Sequence, residues 1–261
     1  MNAKLSVQGL GFSYEERQIV KDVSFDVREG EFVALLGPSG CGKSTILNLL
    51  AGLLLPQDGS FWVDGREVNG RSEHFAYMPQ DDLLFPWQTV LQNVCLYGRL
   101  HGTQAQARRC ALERMPAFGL AGCENLYPSA LSGGMRQRAA FLRTSLCSAD
   151  ILLLDEPFGA LDVISRGDMQ DWLLAMRGEV GKTALLVTHD IDEALYLADR
   201  ILILGGEPAG VIASFEVEQA ERTREWLYGQ GKLRTEIYRC IKARKNPEQT
   251  AVPNTEKKRG I

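Results

Sequence analysis

The chain has 261 residues, 45% of them hydrophobic and 24% charged, enough to bury one substantial core with a smaller subdomain against it, and an extended disordered protein is excluded. A formal net charge of −4 argues against a binder of nucleic-acid backbone, which needs a concentrated basic surface. The most apolar stretch, residues 46–55, falls short of the roughly 18–20 residues of a membrane-spanning helix, and the N-terminus MNAKLSVQGL lacks the basic-then-apolar design of a secretory signal, so a cytoplasmic chain is expected.

In chain order, residues 5–14 and 19–27 predict two strands of an antiparallel β layer, the second with alternating apolar positions and ended by the turn signal Arg28-Glu29-Gly30. Residues 32–36 are a short apolar run, a glycine-rich loop follows, and 44–51 continue as a helix. Strand, loop and helix in that order are the setting of a phosphate site and open an α/β core. After Pro56-Gln57-Asp58-Gly59, short strands are predicted at 60–63 and 75–78, and from about 89 to 148 the pattern turns helical, which predicts an inserted helical subdomain. A strand at 151–154, a helix at 165–176, a strand at 183–187, a helix at 191–198 and a strand at 200–204 alternate as a parallel sheet requires. A strand at 211–215 and helices at 218–228 and 233–245 follow, giving a single domain of residues 1–245 and a disordered tail at 246–261.

The residues Gly37, Pro38, Ser39, Gly40, Cys41, Gly42, Lys43, Ser44 and Thr45 satisfy G-x-x-x-x-G-K-[ST] at the end of an apolar run. The glycines let the backbone curl so that successive N–H groups face phosphate oxygens, the following helix adds its positive end, Lys43 reaches the β and γ phosphates, and Ser44 ligates Mg²⁺. Residues 151–154 form a buried strand that delivers Asp155 and Glu156 at its end. Beside a phosphate loop, Asp155 would hold Mg²⁺ through water, and Glu156 would polarise the attacking water. Six cysteines, at 41, 95, 110, 123, 147 and 240, form no CxxC pair and read as free thiols, mostly small apolar filler. Cys41 stands apart, because a helix N-terminus is expected to lower its thiol pKa and make it the most readily alkylated.

A third motif, Leu131-Ser132-Gly133-Gly134-Met135-Arg136-Gln137-Arg138, precedes a helical stretch. Phosphate loop, LSGGMRQR, LLLDEP, Ala160-Leu161-Asp162 and Thr188-His189-Asp190 together resemble the ATP-binding cassette family in order and spacing, over roughly residues 5–230. The resemblance implies an α/β P-loop NTPase core with a parallel sheet, an N-terminal antiparallel β layer and an inserted helical subdomain, with ATP and Mg²⁺ as cofactors. It implies that Tyr14 stacks on adenine, that Gln80 senses Mg²⁺ and the attacking water, and that His189 contacts the γ-phosphate. It places Ser132, Gly133 and Gly134 against the nucleotide of a second subunit and Asp162 in the loop joining the two. The segment Asp81-Asp82-Leu83-Leu84-Phe85-Pro86-Trp87 and Thr188–Leu195 resemble importers of nitrate, sulfonate, taurine and pyrimidine precursors of thiamine. The partners so implied are a second copy of the ATPase subunit, transmembrane permease subunits and, indirectly, an extracytoplasmic solute-binding protein, at the cytoplasmic face of the membrane and with no nucleic acid. The alternative, a soluble cassette acting on nucleic acid or ribosomes, would normally carry two cassettes or a long coiled-coil insertion, and neither is visible. A catalytically silent binding module is disfavoured by the presence of Lys43, Asp155, Glu156 and His189 together.

Overall fold

The computed structural model describes residues 3–218 and 222–243, and the tail expected at 246–261 lies outside them. Strands β1 (Ala3–Tyr14) and β2 (Arg17–Arg28) pair as an antiparallel hairpin. β3 (Phe32–Leu36) leads through the glycine-rich loop into α1 (Lys43–Leu50). β4 (Asp58–Val63) and β5 (Arg66–Val68) then complete a four-stranded antiparallel sheet of order β2-β1-β4-β5. The three-residue β5 is too short for periodicity to announce it. Its local signal is Asp64-Gly65, both at positive φ (50° and 74°), the backbone of a tight hairpin turn.

β6 (Phe75–Met78) is followed by four helices, α2 (Val90–Val94), α3 (Leu96–Leu100), α4 (Gln104–Arg114) and α5 (Gly133–Ser145), with a 3₁₀ turn at Pro128–Ala130 before the last. The chain continues as β7 (Ile151–Asp155), α6 (Val163–Val180), β8 (Thr183–Thr188), α7 (Ile191–Leu197), β9 (Arg200–Gly205), β10 (Gly210–Glu216), α8 (Arg224–Gly229) and α9 (Gly231–Ala243). The second sheet has the order β10-β9-β3-β8-β7-β6, with β9, β3, β8, β7 and β6 parallel and β10 antiparallel.

The inner strands of this sheet read as continuous apolar runs because both faces are covered. On one face Val33, Leu35, Ile151, Leu153, Leu185 and Val187 join Ile46, Leu47, Leu49 and Leu50 of α1 and the inner face of the antiparallel sheet in one core. On the other face Ala34, Leu36, Leu152, Leu154, Ala184 and Leu186 pack with the remaining helices in a second core. The phosphate-loop helix is thus clamped between two sheets. Each of its four fully buried aliphatic side chains contributes roughly 1.5–3 kcal/mol.

Helix ends account for the boundaries that periodicity misses. The helix expected at 165–176 starts at Val163, because the Asp162 carboxylate accepts from the N–H groups of Ile164 and Ser165, and it ends at Gly181 in left-handed backbone. The helix expected from 218 starts at Arg224, where Thr223 caps it by accepting from the Trp226 N–H at 3.1 Å.

Candidate active site

Between Leu36 and Lys43 the chain must reverse from strand to helix in six residues. Gly40 and Gly42 adopt φ of 78° and 101°, and a Cβ at Gly37 would lie 2.8 Å from the Leu204 carbonyl oxygen and 2.9 Å from the Cys41 sulfur. Lys43 is only 4% exposed. Its Nζ donates to the carbonyl oxygens of Gly37 and Pro38, each at 2.9 Å, and the nearest carboxylate oxygen, Glu156 Oε1, is 3.9 Å away. A buried ammonium held by carbonyls, without a carboxylate in close contact, is set to receive an anion over the loop.

The next residue ties the loop to the sheet. Ser44 Oγ donates to Asp155 Oδ1 at 2.9 Å, and the Tyr77 hydroxyl donates to Asp155 Oδ2 at 3.0 Å. Burial pushes the Asp155 carboxyl up, while the hydrogen bonds from Ser44 and Tyr77 pull it down. Burial, together with the neighbouring Asp155 charge, raises the Tyr77 phenol well above its ordinary value, so Tyr77 remains a donor. Tyr77 is absent from the sequence-based residue set. Its one signal is a polar-tipped aromatic inside the apolar run Phe75–Met78.

Glu156 follows β7 at a φ of 42°, with its N–H donating to the Val187 carbonyl oxygen at 3.0 Å. Its Oε2 is 3.0 Å from Nδ1 of His189, which leaves the end of β8 half-exposed. Gln80 leaves β6 on the same edge, and its Nε2 would lie 3.3 Å from a Cβ at Gly159, in the turn after Glu156. The carboxyl ends of β3, β8, β7 and β6 therefore bring together the phosphate loop, His189, the Asp155–Glu156 pair and Gln80, at the edge where parallel α/β sheets bind ligands. Ser44 Oγ, the Asp155 carboxylate and the Gln80 amide oxygen are hard oxygen donors of the kind a small divalent cation takes alongside phosphate and water.

Other predicted residues lie apart from this cluster. Ser132 caps α5 by accepting from the Met135 N–H at 3.3 Å. Gly133 faces Leu161 and Gly134 faces Met169, so the LSGGMRQR motif, the signature segment of this chain, packs on Leu161 and the first half of α6. Among the described residues no hydrogen bond joins Ser132, Gly133 or Gly134 to the phosphate loop. Tyr14 ends β1 half-exposed, with its ring edge-on to Phe12 at 4.9 Å. Cys41 departs from expectation: burial pushes its thiol up, and the nearby Lys43 charge offsets only part of that. It precedes the first helical residue by two positions and is half-buried, so burial outweighs the helix end.

The family model described as ABC transporter matches residues 20–159, more than half of the chain. The chain belongs to the ABC transporter family. It is 41% identical over 222 residues to the taurine import ATP-binding protein TauB of Yersinia pestis bv. Antiqua, covering 85% of this chain and 87% of that one. It is 45% identical over 206 residues to the formylaminopyrimidine import ATP-binding protein ThiZ of Halalkalibacterium halodurans, covering 78% and 80%. Its fold is similar to the dimeric post-hydrolysis state of the ATP-binding cassette MJ0796 bound to ADP and Pi, with a TM-score of 0.69, 29% identity, and coverage of 83% of this chain and 100% of that chain.

This ABC ATPase carries an exposed apolar segment directly after Gln80. Leu83 and Trp87 are exposed, and the Trp87 ring stacks on Phe85 at 5.2 Å. The segment is gripped from behind by the signature helix α5. Arg143 donates to the Leu83 carbonyl oxygen at 2.8 Å and to that of Asp82 at 2.6 Å, and Arg136 Nε donates to Asp82 Oδ2 at 3.1 Å. Leu83 is held at a φ of 43°, a conformation uncommon for a branched side chain. No described helix is long and apolar enough to cross a membrane.

Proposed function

We propose that this ABC ATPase powers solute import at the cytoplasmic face of a membrane, working as a pair of subunits docked on permease subunits, with Mg-ATP held between Lys43 and Ser44 of one copy and Ser132 to Gly134 of the other. The carrying observation is the meeting of Lys43, Ser44, Asp155, Glu156 and His189 at one sheet edge, with Ser44 and Asp155 already 2.9 Å apart. Bound Mg-ATP supplies the electrophilic γ-phosphoryl group with part of its charge neutralised. Lys43 would meet the β and γ oxygens, Ser44 and Asp155 with Gln80 would hold the metal side, and Tyr14 would stack on the adenine. Glu156 accepts a proton from the attacking water, and His189, hydrogen-bonded to Glu156 at 3.0 Å, keeps that carboxylate aimed and reaches the γ-phosphate.

The signature segment of the same chain packs on α6 and not on the loop, which supports a site completed by a second copy. The exposed Leu83–Trp87 segment is suited to a membrane helix of the permease. The cargo class is that of the branch the sequence resembles: nitrate, a sulfonate, taurine or a thiamine-precursor pyrimidine, delivered by an extracytoplasmic binding protein. The test replaces Glu156 by Gln, which keeps shape and removes the base. Light scattering with Mg-ATP should show a dimer, with turnover lower by a factor on the order of hundreds. A Glu156→Gln protein that stays monomeric at high concentration overturns the shared site. Co-purification of permease subunits supports transport, whereas ribosomes or DNA in their place would refute it.

A further inference from the structure

The Glu156–His189 pair itself lines a small cavity, together with Phe158, Arg166, Thr188, Asp190 and Glu193. Glu193, in the first turn of α7, is 5% exposed, and its Oε1 is closed off from solvent without a hydrogen-bond partner among the described residues. Facing it from α6, Arg166 donates to the Leu161 carbonyl oxygen at 3.2 Å, while its Nε is likewise closed off and unpartnered. A carboxylate at this place would face the carboxylates of Asp190, on its own helix cap, and Glu156, after β7. The groups that favour it are the Arg166 guanidinium and the Thr188 hydroxyl at the end of β8. Burial first, then Asp190, raises the Glu193 carboxyl from 4.5 to about 8.

The same residue is tied to the turn that carries His189. The Asp190 carboxylate accepts from the N–H groups of Asp192 at 2.8 Å and Glu193 at 3.2 Å, and Thr188 Oγ1 accepts from the Asp190 N–H at 3.0 Å. The Glu193 backbone is thus fixed to the Asp190 cap and its side chain to the Thr188 hydroxyl, so the residue touches both ends of the turn from Thr188 to Asp190 that carries His189. We propose that Glu193 is a positioning residue for His189, that it holds the turn from Thr188 to Asp190 while standing unpaired across the cavity from Arg166, and that drawing the two side chains together lowers turnover. This rests on Glu156 and His189 being the hydrolytic pair.

The experiment follows kcat and the KM for ATP from pH 6 to 10 in the purified full chain, in its assembled complex where one is obtained. Wild-type kcat should fall with a midpoint near pH 8, by about tenfold at one unit above it, with KM nearly constant. Glu193→Ala should lower kcat already at pH 7. Glu193→Gln, uncharged at every pH, should restore it and remove the alkaline fall. Arg166→Gln withdraws the charge that favours ionisation, so the midpoint should move to higher pH, and this variant carries the test if the Gln protein does not fold. An alkaline fall that is unchanged in Glu193→Gln, or in Arg166→Gln, overturns the proposal. Full turnover in Glu156→Gln would instead overturn the reading of the site itself.

Discussion

Lys43 makes two hydrogen bonds to its own loop, and on the proposed function its charge serves the bound phosphates. Lys43→Ala should therefore reduce ATP turnover by at least about a hundredfold, since a cluster of phosphate charge loses its main cation. Normal ATPase rates in that variant would remove the loop from the site. Tyr77→Phe deletes the donor to Asp155 Oδ2 while leaving the ring in place. It should raise the Mg²⁺ concentration needed for half-maximal ATPase activity several-fold, because the carboxylate loses one of the two bonds that orient it. An unchanged Mg²⁺ titration would leave Tyr77 a packing residue. Cys41, with its thiol pushed up by burial, should react with iodoacetamide at neutral pH more slowly than free cysteine; mass mapping that finds faster labelling would restore the helix-end argument.

At the scale of elements, α2 opens with a reciprocal cap: Thr89 Oγ1 accepts from the Gln92 N–H at 3.3 Å, and the Gln92 side chain accepts from the Thr89 N–H at 2.9 Å. Thr89→Ala should cost about 1 kcal/mol, read as a lower urea midpoint. Arg143 joins the exposed segment to the signature helix through two backbone carbonyls, so Arg143→Met should speed hydrogen exchange across residues 82–85 while the core strands stay protected. The strands that reach the site were legible because apolar runs such as Ile151–Leu154 end abruptly in charge, and a sheet covered on both faces writes itself that way. The loop residues from Gly37 to Thr45 were legible because a phosphate cradle admits few side chains. What escaped was set by contacts between segments distant in sequence. The hydroxyl of Tyr77 finds Asp155 only once β6 lies beside β7, and the cavity around Glu193 exists only where α6 and α7 meet.

For the whole molecule, the two cores share one sheet, so the strand ends that hold the site are fixed from both faces while the signature segment rides on α6. The buried Glu193 adds a pH dependence to stability. Its folded pKa of about 8 lies above the unfolded 4.5, so the folded chain holds the extra proton between these values, and the contribution of this group falls as pH rises through that window and is level above it. Thermal melts should show Glu193→Gln losing less stability than wild type between pH 5 and 8. Equal losses would mean that Glu193 is ionised in the fold.

Glu156 stands at a φ of 42°, a backbone that costs an ordinary L-residue about 1 kcal/mol and costs glycine far less. Drift under selection for stability alone would carry glycine or asparagine into this position. Laboratory evolution for heat resistance, with no demand for turnover, should recover such replacements, and libraries screened for ATP hydrolysis should reject them. On the proposed mechanism, Glu156 is then a position at which stability and turnover favour different residues, and its left-handed turn is where the two demands part.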